Sequence, residues 1–153
     1  MNKLEIIDAI RDALNKDFHS FRRASQQTRS SGSDDESKAD GKYDTQSTET
    51  NYLADGQARQ AQEVVHAAAA FDAMLQRNFD RKDPIDVGAL IELNINQHPQ
   101  WFFLGPAYGG LEIYIDDRKI TVITPKSAIG KKLIGLQVGD SISSPTADID
   151  SIS

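Results

Sequence analysis

The acidic segment SGSDDESKADGKYD, residues 31–44, is the densest group of side chains that could do chemistry. It has one aromatic residue, no large aliphatic residue and the carboxylates Asp34, Asp35, Glu36, Asp40 and Asp44. Hard cations such as Mg²⁺ prefer carboxylate oxygens, and a carboxylate can also act as a general base. Yet two carboxylates about 5 Å apart in water repel by only about 0.8 kcal/mol, so a solvated acidic loop needs no functional reason. The residues alone leave both interpretations open.

Most other chemistries lack the residues they need. The chain has no cysteine, which excludes disulfides, thiolate zinc sites and cysteine nucleophiles. Its histidines, His19, His66 and His98, are far apart and lack the spacing of a metal site. No Gly-x-Ser-x-Gly elbow occurs, and the Gly-Lys-Lys at 130–132 does not complete a P-loop. We therefore expect no intrinsic cofactor, and exposed helix charge at these lysines.

Composition is that of an ordinary globular protein. The chain has 153 residues, 39% hydrophobic and 26% charged, with a net charge of −6. That charge argues against a general nucleic-acid binder, which needs clustered Lys and Arg, although Arg22, Arg23 and Arg29 leave a local basic patch open. The start, MNKLEIIDAIRD, is not a signal peptide, and no apolar run has membrane-spanning length. We expect a soluble, cytoplasmic protein.

The spacing of apolar residues predicts two helices in the first part of the chain, before the sequence becomes rich in β-favouring residues. Residues 3–29 repeat apolar side chains every three or four positions, and residues 51–81 carry the helix-favouring run HAAAAFDAML. Each helix is apolar at the end away from the acidic segment and polar near it, which is the pattern of an antiparallel hairpin with an exposed tip. A plain hairpin with a solvated loop gives the same pattern.

The remaining residues predict a small β-rich domain. Strands are expected at 88–96, 101–105, 111–115, 119–124 and 138–143, with a short helix at 127–136 that Ser127 caps. Trp101, Phe102 and Phe103 are expected in the core. The last residues, with Ile149 and Ile152, form either an edge strand or a frayed tail. The fold class is α+β.

A stretch of about 40 residues resembles a known family. WFFLGP followed by KITVITPKSAIGKKLIGLQVGDSI is similar to the C-terminal domain of the bacterial Gre transcription elongation factors, the GreA- and GreB-like proteins. In that family a strand and turn lead to a further strand, a Ser-Pro-like step, a short helix with a Gly-Lys-Lys-like segment, and Val-Gly-Asp. The matching residues here are Gly105, Pro106, Ile120 to Pro125, Ser127 to Gly135, and Val138, Gly139 and Asp140.

The resemblance implies a domain organisation. Gre factors carry an antiparallel coiled-coil hairpin before an FKBP-like domain. By that likeness, residues 1–82 form a helical hairpin with an acidic tip at 31–50. Residues 83–153 then form a small FKBP-like antiparallel β domain with one short helix, used for docking rather than for isomerase activity.

The resemblance also implies a partner and site residues. In that family the hairpin enters the secondary channel of RNA polymerase, where acidic tip residues help hold a catalytic Mg²⁺ and its water during cleavage of backtracked RNA. Asp34, Asp35 and Glu36 become the expected catalytic and metal-binding residues, only in complex with the polymerase, with Asp40 and Asp44 as second choices. The protein itself is then no enzyme, holds no Mg²⁺ of its own, meets nucleic acid only through the polymerase, and has no membrane partner.

The tip departs from the family pattern. A cleavage-competent tip has Asp and Glu three residues apart followed by Asn, whereas here Asp34, Asp35 and Glu36 are adjacent and no Asp-x-x-Glu-Asn occurs. Polymerase binding is therefore better supported than cleavage. Two alternatives stay open: a channel-binding regulator or inhibitor without cleavage activity, and a structural adaptor whose coiled-coil hairpin binds another partner.

Overall fold

The computed structural model describes the backbone of residues 1–36 and 44–153 and the side chains of residues 1–28 and 54–153. The chain divides into two compact units: the sheet unit, residues 1–11 and 67–153, and the hairpin unit, residues 12–66. The predicted domains, 1–82 and 83–153, stay a prediction, because compactness is no test of independent folding. The elements in chain order are α1 (Lys3–Glu36), α2 (Asp44–Ala73), β1 (Leu90–Ile95), β2 (His98–Leu104), β3 (Glu112–Ile115), β4 (Arg118–Ile123), α3 (Ala128–Leu133), β5 (Ser141–Ile142) and β6 (Ala147–Ile152).

Both long helices differ in extent from the prediction. α1 continues through Gly32, because one glycine costs a helix only about 1 kcal/mol relative to alanine. α2 begins at Asp44 rather than near residue 51 and ends at Ala73 rather than near residue 81. It ends early because the chain then turns to bury Phe79 in the core of the sheet unit. Leu75, the last residue of the helix-favouring run HAAAAFDAML, lies beyond the end of α2 and is 86% exposed.

Within the hairpin unit, α1 and α2 pack against each other on small side chains. The buried Ser25 hydroxyl donates a 3.0 Å hydrogen bond to the carbonyl oxygen of Ala54, which is itself fully buried. These two residues lie at similar distances along the chain from the 37–43 connection, so the helices run antiparallel as predicted. Ala61 and Val64 add further buried apolar area on α2.

The sheet unit contains a six-stranded sheet in the order β3-β4-β2-β1-β6-β5. The α+β fold class is confirmed. The expectation of a purely antiparallel domain is wrong for one strand pair, because β2 and β4 are parallel, with Trp101 opposite Ile120. β3 lies outside β4 as its antiparallel partner, so β4 returns in the direction of β2. β6 forms at 147–152, between β1 and β5 rather than at an edge.

Side chains on both faces of the sheet are buried. Phe102 and Leu104 point into the larger cluster, and Phe103, between them on β2, faces the other side, as alternation along a strand requires. Trp101 is only half-buried, in contrast to its predicted place in the core. The larger cluster consists of Phe79, Ile85, Ala89, Ile91, Leu93, Phe102, Leu104, Ile123, Leu133, Ile142, Ala147, Ile149 and Ile152.

Phe71 of helix α2 packs against Gly105, which follows strand β2. A Cβ added at Gly105 would lie 2.8 Å from the Phe71 ring and 3.2 Å from Val122 Cγ1. Only a residue without a side chain lets the ring pack directly on the end of β2. The Gly105 that helped to carry the family resemblance is therefore a packing residue in the sheet unit.

Candidate functional site

The predicted acidic residues lie where the two helices of the hairpin unit meet their connection. Asp34, Asp35 and Glu36 are the last three residues of α1, and Asp44 is the first residue of α2. They stand on helix ends rather than in a loop, which corrects the prediction that the helix stops near residue 29. Asp40 belongs to the 37–43 stretch, which lies outside the described residues. Because the helices are antiparallel, four of the five predicted residues share one end of the hairpin.

Polar bonds hold the helices together on the approach to that end. Besides the bond from Ser25 to Ala54, the Thr28 hydroxyl donates a 3.0 Å hydrogen bond to Gln57 Oε1. Leaving a buried hydroxyl without a hydrogen-bond partner costs about 1–3 kcal/mol. The hydrogen bond from Ser25 therefore restricts the distance between the two helices more than an apolar contact would. Sequence periodicity missed Ser25 because a serine interrupts an apolar stripe.

Basic side chains line one face of α1 in the hairpin unit. Lys16, His19 and Arg23 border a shallow depression of about 570 Å³. Arg22 and Arg23 are exposed, as expected of helix charge in solvent, and the side chain of Arg29 lies outside the described residues. Nothing in this arrangement tests a polymerase or nucleic-acid contact.

Several of the residues that carry the family resemblance, among them Gly105, Thr124 and Ser127, lie where the parallel strands β2 and β4 end. The Ser127 hydroxyl caps α3, accepting from the Gly130 amide at 3.0 Å and donating to the Thr124 carbonyl at 2.7 Å. A Cβ at Gly130 would lie 1.8 Å from that same carbonyl oxygen, so glycine is required there. Lys131 and Lys132 are both exposed, as predicted, and Lys132 Nζ also donates to the backbone carbonyls of Ser143 and Ser144 at 2.9 and 2.5 Å.

Two turns far apart in sequence meet at this end. The Gly105 amide donates to the Ile123 carbonyl at 2.8 Å, and the Gly110 amide donates to the Val122 carbonyl at 2.7 Å. Between the turns lies an open cleft of about 430 Å³. We call it the turn cleft; its lining residues are Pro106, Ala107, Tyr108, Gly109, Thr124, Pro125 and Lys126. It offers a partly apolar surface next to the capped helix α3.

Three cation–aromatic contacts on two rings of the sheet unit were not found from the sequence. Arg118 lies over the Trp101 ring at 5.6 Å, and Lys3 Nζ and the Arg77 guanidinium each lie 4.7 Å from the centre of the Phe79 ring. Desolvation, with the nearby charge of Arg77, lowers the pKa of Lys3 from 10.5 to about 8. Arg118 and Trp101, like Lys3 and Phe79, are separated in sequence, so no local pattern reveals those two contacts.

Two features are absent from the described parts of the chain. Residues 1–28 and 54–153 contain no group of three or more His, Asp or Glu side chains placed to hold a metal ion. Over the described helices, none combines the length and apolarity needed to cross a membrane. The carboxylates of Asp34, Asp35 and Glu36 suit a hard cation by their chemistry, but no metal geometry follows from the described residues.

Comparisons with known proteins returned structures only. No protein-family model and no curated protein match the chain. A solved structure of the transcription factor Gfh1 is 16% identical, with 94% of this chain and 93% of that chain covered and a TM-score of 0.40. GreA factor homolog 1 of Thermus thermophilus is 18% identical, with 95% of each chain covered and a TM-score of 0.37. Thermus aquaticus Gfh1 is 19% identical, with 95% and 94% covered and a TM-score of 0.37. Likeness at this level leaves the function open.

Proposed function

We propose that this chain is a Gre-like transcription factor that binds RNA polymerase at its secondary channel. The observation that carries the proposal is the turn cleft with α3 beside it. Pro106, Thr124 and Pro125, which belong to the resemblance, line this cleft, and Ser127 and Gly130 of the resemblance form the cap of α3 beside it. An open surface to which residues of the resemblance contribute is a natural place for the partner that the resemblance implies.

Docking would use the turn cleft because it is open and only partly apolar. Proline, alanine and tyrosine side chains supply contact area, and the exposed Lys126 adds a positive charge at the rim. Interfaces that form and dissociate generally combine an apolar centre with a polar rim. The cap of α3 keeps the Thr124–Ser127 turn in one conformation, so little ordering cost arises on binding.

The hairpin unit would deliver the acidic segment. Helices that meet on alanine and serine make a thin arm, and Asp34, Asp35, Glu36 and Asp44 occupy its end. Mg²⁺ keeps several waters and usually takes one or two carboxylates, so a partner polymerase that already holds the ion needs only one further carboxylate from the arm. That group would orient the metal-bound water or take its proton. Any cleavage would remain the polymerase's own reaction, so the chain is not itself an enzyme.

A second candidate function is a channel-binding regulator that does not promote cleavage. The observation that favours it is the tip sequence: Asp34, Asp35 and Glu36 are adjacent, and no Asp-x-x-Glu-Asn occurs in the chain. An acidic arm can compete for the channel or repel RNA phosphates without placing a carboxylate on the metal.

Binding to core RNA polymerase tests the proposal. The full chain, immobilised, is expected to retain core polymerase from a purified preparation. Ala107→Glu places a charge in the turn cleft and is expected to weaken retention at least about tenfold, since unpaired charge at an interface core is costly. Thr146→Glu, at an exposed position that does not line the cleft, is the matched control and should bind like the parent. No retention by the parent chain would refute polymerase binding. Equal retention by Ala107→Glu would refute the docking surface alone.

A further inference from the structure

The amine of Lys3 has surroundings unlike those of an ordinary surface lysine. It lies in the first turn of α1, is half-buried, and donates a 2.5 Å hydrogen bond to the backbone carbonyl of Arg77. It also lies over the Phe79 ring, whose other cationic neighbour is the Arg77 guanidinium. Lys3 therefore shares one ring and one short stretch of backbone with a second positive charge.

Partial burial and the Arg77 charge disfavour the charged form of the amine and outweigh the hydrogen bond and the ring contact, which favour it. Partial burial removes water from the ammonium group and the Arg77 charge repels it, which together lower the pKa of Lys3 to about 8. Among the described residues, Asp83 forms an ion pair with Arg77 at a long 3.9 Å, so it offsets the repulsion only weakly. Near neutral pH a much larger share of Lys3 is uncharged than of a free lysine, whose pKa is near 10.4.

The amine also has room beside it. Lys3 lines an open cavity of about 420 Å³ at the edge of the sheet unit. Its other walls include the polar side chains of Asn2, Gln76, Asn78 and Ser153. A neutral amine that donates a hydrogen bond to a carbonyl keeps its lone pair free, and that lone pair can attack an acyl carbon held in the cavity. Amide side chains along the wall are suitable partners for the carbonyl oxygen of an acyl group.

We infer that Lys3 is a site of selective N-acylation by small activated acyl donors of the acyl phosphate class. The Lys3 nitrogen attacks the acyl carbonyl carbon and forms the C–N bond. The C–O bond to phosphate breaks, phosphate leaves with the electron pair, and the nitrogen loses one proton to solvent. The product is a neutral amide that no longer places a cation over Phe79. Acylation would thus alter the contact between the start of α1 and the segment that follows α2.

Acetylation of the full chain with acetyl phosphate tests this inference. After a short reaction at pH 7.5, mass spectrometry of peptides gives the occupancy of each lysine, with fragment ions separating the Lys3 amine from the Met1 amine. Lys3 is expected to react at least about threefold faster than the exposed Lys126 and Lys131, since a lower pKa leaves more of the reactive neutral amine. Its rate should level off above about pH 8, while theirs should keep rising. A Lys3 rate equal to or below those of Lys126 and Lys131 would overturn the inference.

A charge variant separates the local cause from simple accessibility. Arg77→Gln removes the repelling charge but keeps the backbone carbonyl that Lys3 binds, so the plateau of the Lys3 rate should move to higher pH and the rate at pH 7.5 should fall. Arg81→Gln removes an equal charge four residues away and is expected to leave Lys3 unchanged. If both variants react like the parent chain, the Arg77 pairing is irrelevant and the inference fails.

Discussion

The sheet unit and the hairpin unit bury different kinds of side chain. In the sheet unit the buried residues are mainly Ile, Leu and Phe, including the nearly inaccessible Leu104 and Phe103. In the described parts of the hairpin unit they are Leu14, Ser25, Ala54, Ala61 and Val64. Apolar burial stabilises by roughly 25 cal/mol per Å², so large side chains give the sheet unit more stabilisation per residue. The small buried side chains of the hairpin unit give less stabilisation, but they let the two helices pack closely. Close packing is what a thin arm requires.

This difference can be measured because each unit has its own spectroscopic signal. The chain's one tryptophan, Trp101, is on β2 in the sheet unit, so its fluorescence follows the sheet. The long helices α1 and α2 dominate the circular dichroism at 222 nm. Substitutions in the two units should therefore move different signals by different amounts.

Phe103→Ala should have the largest effect. Phe103 is 1% exposed on β2, and truncating a buried phenylalanine costs roughly 3–5 kcal/mol through lost transfer energy and the cavity left behind. Urea unfolding followed by Trp101 fluorescence measures the loss. Tyr114→Ala, on the same sheet at a 66% exposed position, is the control and should change little. A loss below about 1 kcal/mol for Phe103→Ala would contradict the packed sheet core.

Gly130→Ala should cause the next largest loss of stability. The added methyl would meet the Thr124 carbonyl oxygen 1.8 Å away, so α3 or its cap must move. Overpacking of this kind costs typically 1–3 kcal/mol, more than alanine returns in helix propensity. The same fluorescence transition measures it. A stabilised Gly130→Ala variant would mean that α3 does not pack against its cap in this way.

These two positions show what the sequence could and could not predict. Alternation in LIELNI and KITVI was enough to predict the strands and the α+β class, because one residue in two must face the core. Gly130 was recognised only through the family resemblance, since its contact is with a carbonyl outside its own helix. The parallel pairing of β2 with β4 was missed because strand patterns carry no direction. The long α1 was missed because polar residues beyond Phe21 gave no periodic signal.

Ser25→Ala should have a smaller effect, confined to the hairpin unit. It removes the hydrogen bond to the Ala54 carbonyl, and a net loss of about 1 kcal/mol is typical of one buried hydrogen bond. Ser20→Ala, exposed on the same helix, has the same gain in helix propensity and isolates the bond by difference. Thermal unfolding at 222 nm is the measurement. Equal transitions for the two variants would show that the bond adds nothing to the hairpin.

Gly56→Ala should act in the opposite direction. A Cβ there would meet only the Arg59 guanidinium at 3.9 Å, so the methyl fits without strain. Replacing glycine by alanine within α2 should stabilise the helix by up to about 1 kcal/mol. The midpoint of unfolding followed by circular dichroism at 222 nm should rise. The midpoint followed by Trp101 fluorescence should not change. Destabilisation would indicate closer packing around Gly56 than the helix pair shows.

The last expected effect is a pH dependence of stability from Lys3. Its pKa is lowered to about 8 in the folded chain, so the unfolded chain binds more protons between pH 8 and 10.5. The Lys3 contribution destabilises fully below pH 8 and is relieved as the pH rises through that window. The unfolding free energy of the parent chain minus that of Lys3→Met should thus increase from pH 7.5 to pH 10. The matching difference for Lys131→Met is the control, and a flat or falling difference for Lys3 would contradict the lowered pKa.

Only part of the candidate site could be predicted, because the rest depends on how far the helices extend and on contacts between residues distant in sequence. The acidic residues stand out by composition, yet their place on helix ends depended on helices that continue through glycine and serine. The turn cleft joins residues near 106 with residues near 125, and only the β4 hydrogen bonds bring them together. The Lys3 and Arg77 pair lies 74 positions apart in sequence, beyond any local pattern.

RNA cleavage in a stalled, backtracked polymerase complex tests the central claim most directly. The parent chain is compared with a tip variant, Asp34→Asn, Asp35→Asn and Glu36→Gln, and with a control, Glu63→Gln, Asp116→Asn and Asp117→Asn, that loses the same three charges elsewhere. The parent chain and the control are expected to accelerate cleavage, and the tip variant is not. Acceleration that survives in the tip variant would contradict the role of the acidic end. A parent chain that neither accelerates cleavage nor competes with another channel-binding protein would contradict a role at the polymerase altogether.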